Sequence, residues 1–146
     1  TATDLLPFKS LIADAQLDAI MPAHVIYQQV DSKAAGFSQY WLQTVLRQQL
    51  GFKGAIFSDD LSMHGASVAG NYLERAEQAM WAGCNLLLAC NDRTGVETLL
   101  DGLDNNLTTE DFNLKHRSDF SLAELKMSGL WQNTTKSVAK FNQQFS

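Results

Sequence analysis

Residues 54–66 read GAIFSDDLSMHGA, and this stretch decides the fold. Small and apolar residues from Gly54 to Phe57 lead through Ser58 into two adjacent carboxylates, Asp59 and Asp60. The apolar part is long enough for one strand, so the acids fall at its carboxyl end. Neighbouring strand residues point to opposite faces, so one of the two acids can aim into a shared site. The other would cap the next helix or bond a neighbouring loop, and alternation alone does not say which is which. Asp also ends strands and opens turns with no chemical role.

Two further apolar runs resemble this one in length: DAIMPAHVIY at 18–27 and CNLLLAC at 84–90. Helical spacing separates them. Leu42, Val45, Leu46 and Leu50 recur at three and four in FSQYWLQTVLRQQLG, with Ser38 as N-cap and Gly51 as stop. NYLERAEQAMWAG places Leu73, Ala76, Ala79 and Met80 on one side and closes at Gly83, and residues 93–103 predict a third helix. Near-continuous apolar strands alternating with helices predict α/β architecture, with parallel strands covered on both faces and right-handed crossovers. Beyond Leu103 the chain is polar and loop-like, a short helix from Thr108 being the alternative. Ser121 with Glu124 then forms a capping-box pattern opening a last helix, broken near Ser128–Gly129. The expected organisation is β/α units over 1–104 and a loop with a helical extension over 105–146, packing on the same domain.

At 146 residues the chain can bury a core, and 45% hydrophobic with 18% charged residues is a globular composition. A net charge of −5 without a basic cluster argues against nucleic acid as a partner. Nothing apolar approaches bilayer length, so no membrane partner is expected. The chain opens on Thr1 like an internal start, which predicts a segment of something longer. In an extended strand Cys84 and Cys90 would lie roughly 20 Å apart, too far for a disulfide. Both are expected to be buried and reduced, as in a cytoplasmic protein.

Ligands of α/β proteins gather at the carboxyl ends of parallel strands. Three such ends carry polar groups here: Pro22, Ala23 and His24 on the first, Asp59 and Asp60 on the second, Asn91 and Asp92 on the third. A lone His in an apolar run is more often a core or supporting residue than a catalytic one.

In order, LDAIMPAHVIY, WLQTVLRQQLGFKGAIFSDDLSMHGA and AGCNLLLACN resemble the C-terminal part of the catalytic barrel of bacterial β-N-acetylhexosaminidases of glycoside hydrolase family 3. These are the peptidoglycan-recycling enzymes of the cytoplasm. The resemblance covers roughly residues 5–103, and its specific part is the SDD segment with the preceding LGFKG. It implies a (β/α)8 barrel of which this chain holds about three β/α units. By the same resemblance Asp59 is the nucleophile, Asp60 a supporting residue, and Met21, His24 and Met63 border the sugar pocket. The implied substrate is terminal β-linked N-acetylglucosamine on a muropeptide sugar, with no metal or organic cofactor.

A retaining glycosidase needs a nucleophile on one face of the sugar and a proton donor on the other. The family's donor is a His paired with an Asp in a KHFPGHG-like segment, and nothing here matches it. His24, His64 and His116 lie in other contexts. The isolated chain is therefore expected to show no turnover. Three parallel strands cannot close a barrel, so self-association through open sheet edges is also expected.

Other functional classes are weaker. A phospho-receiver module would need an acidic pair after the first strand and a Lys after the last, and neither is present. A metal-assisted lyase or phosphatase using Asp59, Asp60 and His24 would need the two acids to converge. A structural or interaction fragment is the remaining alternative.

Overall fold

In a computed structural model of the chain, residues 3–104, 112 and 121–144 are described. They fall into two units, Thr1–Leu114 and Lys115–Ser146.

The first unit is built on three parallel strands, β1 (Ala19–Ile20), β2 (Ala55–Asp60) and β3 (Leu86–Leu88), in the order β1-β2-β3. The three strands, their direction and their intervening helices match the expectation. Ala19 pairs with Ala55 and Ile20 with Ile56. Gly54 permits the close approach that starts this pairing: a Cβ there would stand 2.2 Å from the carbonyl oxygen of Asp18. The sheet is open, and among the described residues β1 and β3 each have a strand on one side only.

Two strands are shorter than their apolar runs. Strand β1 stops at Ile20, before Pro22, which has no N–H to give a ladder. The chain then turns, Val25 N–H bonding the Ala23 carbonyl at 2.8 Å, and Val25, Ile26 and Tyr27 are exposed. Strand β3 holds only Leu86–Leu88, all half-buried. Coverage of both faces holds only in part, since Phe57 and Asp59 of β2 are half-buried while Ala55, Ile56 and Ser58 are buried.

Helices α1 (Leu6–Ala13), α2 (Tyr72–Ala82) and α3 (Arg93–Gly102) accompany the strands. In α2 an Asn71–Glu74 capping box satisfies the N-terminal donors, and Gly83 closes the helix at φ +121°. The segment Tyr40–Gln49 is helical as expected, but it is a π-helix: the Leu50 N–H reaches the Val45 carbonyl at 2.9 Å, five residues back. Ser38 Oγ accepts the Trp41 N–H at 3.1 Å, and Gly51 follows at φ +71°. Arg47 ties this helix to the strands that follow. Its guanidinium leaves the helix to bond the carbonyls of Phe52 and Gly54 at 3.0 and 2.7 Å and Asn85 Oδ1 at 3.1 Å. Asn85 Oδ1 in turn accepts the Ile56 N–H at 2.8 Å.

The core joins Leu42 and Leu46 of the π-helix, Phe52, Ile56, Leu61, Ala76 and Ala79 of α2, Cys84 and Leu99. Burial pushes the Cys84 thiol up to about 12, so it stays protonated. Cys90 is exposed, which corrects the expectation that both cysteines are buried. Both are free thiols.

In the second unit, α4 (Leu122–Met127) opens on the Ser121–Glu124 capping box, with both reciprocal bonds present. Ser128 interrupts the helix at ψ 145° and caps α5 (Gly129–Gln143) through the Trp131 N–H at 3.1 Å. This is the expected break. The expected loop at 105–120 lies outside the described residues except for Phe112.

Candidate active site

The two acids meet very different surroundings. Phe57 pairs with Leu86 and Asp60 with Leu88, so Ser58 and Asp59 of β2 stand opposite Leu87 alone. That extra residue is a bulge, and bulges re-aim side chains at strand ends. Ser58 Oγ fills the interrupted ladder by accepting the Leu88 N–H at 2.9 Å.

Asp60 is fully engaged. Its Oδ1 accepts the N–H groups of Ser62 and Cys90, each at 2.9 Å, and its Oδ2 accepts the Ser62 hydroxyl at 2.7 Å. Partial burial pushes this carboxyl up. The donors from Cys90 and Ser62, with the nearby His24 ring, outweigh it and hold Asp60 below the usual carboxylate range. Asp60 therefore ties the end of β2 to the end of β3 and to the following turn.

Asp59 is half-buried, and its one described donor is local: Oδ1 accepts the Asp60 N–H at 2.9 Å. No donor among the described residues reaches Oδ2. One strand end thus presents a carboxylate held by one oxygen and available at the other, beside a carboxylate bonded at both oxygens.

The remaining expected residues lie at or near this end. His24 Nε2 is 3.0 Å from the Asp60 carbonyl oxygen, and its ring stacks on Phe37 at 5.1 Å. The Met63 N–H also reaches the Asp60 carbonyl, at 3.1 Å, which places Met63 on the same turn. Met21 directly follows β1; both Met side chains are about half exposed, at 52% and 48%. His64 opens the 3-10 helix His64–Ala69 and is exposed, and His116 lies outside the described residues.

Supporting residues that sequence reasoning missed come from α2. Arg75 bonds the carbonyls of Leu61 and Gly70 at 2.8 and 2.6 Å and lies over the Tyr72 ring. Tyr72 donates its hydroxyl to Asp92 at 2.5 Å, and Asp92 caps α3 through the Gly95 N–H. The Tyr72 bond holds the Asp92 carboxyl below its usual range. Their sequence signal was only the i, i+3 pairing of Tyr72 with Arg75 near the start of α2. Asp92, noted as a strand-end acid, serves as a cap. Among the described residues no cluster of three His, Cys, Asp or Glu side chains is arranged to hold a metal ion, and no helix is long and apolar enough to cross a membrane.

Parallel strands alternating with helices, with polar groups gathered at the carboxyl ends of the strands, define an α/β domain of the kind that binds ligands there. Residues 1–117 match the glycosyl hydrolase family 3 N terminal domain, and the chain belongs to that family. A β-hexosaminidase of Tolumonas auensis is 51% identical over 99% of this chain, and one of Psychromonas ingrahamii is 46% identical over 97%. The chain spans 43% of the length of each. The NagZ of Neisseria gonorrhoeae, solved with N-trifluoroacetyl-D-glucosamine, superimposes with a TM-score of 0.71 at 38% identity, covering 95% of this chain and 40% of NagZ. The three strands and their helices are thus part of a family 3 barrel domain.

Proposed function

We propose that this chain supplies the nucleophile-bearing portion of a retaining β-N-acetylhexosaminidase, with Asp59 as nucleophile. The observation that supports this most is the asymmetry of the two acids: Asp60 is bound on both oxygens, whereas Asp59 keeps Oδ2 for a ligand. The carboxylate attacks the anomeric carbon of a terminal β-linked N-acetylglucosamine, and the bond to the leaving sugar's oxygen breaks as that oxygen takes a proton. Water then cleaves the glycosyl ester, releasing the hemiacetal sugar and restoring Asp59. A carboxylate suits both steps, since it stabilises positive charge on the ring and departs readily.

Met21, His24 and Met63 border the sugar pocket in this proposal, and Asp60 supports the strand end. The substrate class is a muropeptide sugar met in the cytoplasm, and the chemistry needs no metal or organic cofactor. The proton donor comes from outside this chain, so the chain alone is inactive. Its open sheet edges are covered by the rest of the enzyme or by a second copy.

An aryl β-N-acetylglucosaminide tests the assignment. The protein completed with the remaining part of the Tolumonas auensis relative should hydrolyse it, the isolated chain should not, and Asp59→Asn should abolish turnover of the completed protein. Turnover by the isolated chain that Asp59→Asn removes would refute the dependence on a missing donor.

A further inference from the structure

His24 borders the strand end, yet neither of its ring nitrogens is offered to a ligand. Nε2 lies 3.0 Å from the carbonyl oxygen of Asp60, 36 residues along the chain. A carbonyl only accepts, so Nε2 carries a proton and donates it to Asp60. Nδ1 is itself buried and has no partner among the described residues. The ring is held flat against Phe37, which is 3% exposed, with an interplanar angle of 20°. Gly65 packs close to the base of the side chain, where an added Cβ would come within 3.1 Å of His24 Cβ. With Nε2 committed to a carbonyl and Nδ1 buried, the half-buried ring is set to fix a peptide.

We propose that His24 is a positioning residue that aims Asp59 through the backbone of Asp60. This rests on the assignment of Asp59 as nucleophile. The Asp60 backbone is secured at its carbonyl by His24 Nε2 and by the Met63 N–H, and its side chain is secured by Cys90 and Ser62. With both fixed, the Asp60 N–H has one direction, and it donates to Asp59 Oδ1 at 2.9 Å. That bond orients the carboxylate so that Oδ2 is the attacking atom. Without the His24 bond the carbonyl keeps only the local turn contact from Met63, and the aim of Asp59 loosens. Small misplacement of a reacting group lowers rate far more than it lowers binding.

The test uses the completed, active protein and the variants His24→Leu and His24→Gln. Leu fills space without a donor; Gln carries an N–H that can reach the same carbonyl. The expected result is a fall in kcat of about 10- to 100-fold for His24→Leu with KM within about threefold, and recovery of most of that loss in His24→Gln. A loss confined to KM would overturn the proposal in favour of direct sugar contact. Equal impairment of Leu and Gln, or no impairment of Leu, would also overturn it. Should His24→Leu fail to fold, long-range proton–nitrogen NMR of the unsubstituted protein decides: a proton is expected on Nε2, and an Nε2 without one contradicts the geometry. Turnover retained by Asp59→Asn would instead refute the nucleophile assignment, and the tautomer measurement would stand apart from that failure.

Discussion

The Oδ1 of Asp60 accepts the backbone N–H of Cys90 at 2.9 Å, joining the carboxyl ends of β2 and β3 by a side chain where the ladder is irregular. The adjacent Asp59 makes no such bridge. This separates a structural acid from a chemical one at consecutive positions, and it gives the two substitutions opposite signatures.

Asp60→Ala should destabilise the fold by about 1.5–3 kcal/mol, because the part-buried Ser62 N–H and the Cys90 N–H both lose a charged acceptor. Asp59→Asn should leave stability within about 0.5 kcal/mol and remove turnover by a factor on the order of 10⁴ or more. Denaturant titration and the aryl glycoside assay on the completed protein measure the two. Asp59→Asn destabilising more than Asp60→Ala would reverse the roles.

Acid should weaken the Asp60 bridge. The folded-state pKa of Asp60 is depressed, so between that value and about 4 the unfolded chain binds more protons than the folded one. Stability from this group is complete above about 4 and is lost as pH falls through the folded-state pKa. Asp31, Asp92 and Glu124 shift in the same direction and share the acid limb. Asp60→Asn should make that limb shallower below pH 4, as read by unfolding free energy against pH; an unchanged limb would show that Asp60 contributes nothing to it.

The two thiols should label differently. Iodoacetamide at pH 8 should modify the exposed Cys90 and spare Cys84 until the protein unfolds, because the Cys84 thiol is buried and held near 12. Mass spectrometry of native and urea-unfolded samples gives the counts directly.

Gly54→Ala should cost about 1–3 kcal/mol or more, since the added Cβ would overlap the Asp18 backbone at 2.2 Å and the Phe52 ring at 2.6 Å. Thermal unfolding checks this. A neutral substitution would mean that the start of the β1–β2 pairing yields easily.

Much of this was legible in the sequence because it is local. The capping box at Ser121–Glu124, the break at Ser128 and the order of three parallel strands all follow from residue types at short spacing. What was not legible depends on distant partners. The π-helical winding of Tyr40–Gln49 accompanies Arg47 reaching to Phe52, Gly54 and Asn85, and helical apolar spacing does not distinguish it from an α-helix. The acids could not be told apart by alternation, because a bulge interrupts alternation at Ser58 and Asp59. The His24 bond to Asp60 joins residues 36 apart, which no run of sequence records. Cys90 was misjudged since the apolar run around it outlasts the strand.

Trapping the glycosyl ester tests the nucleophile most directly. The completed protein would be incubated with a 5-fluoro-N-acetylglucosaminyl fluoride, which forms the ester faster than water removes it, and the modified peptide located by mass spectrometry. The adduct is expected on Asp59. An adduct on Asp60 or another carboxylate, or hydrolysis proceeding with inversion and no adduct, would contradict it.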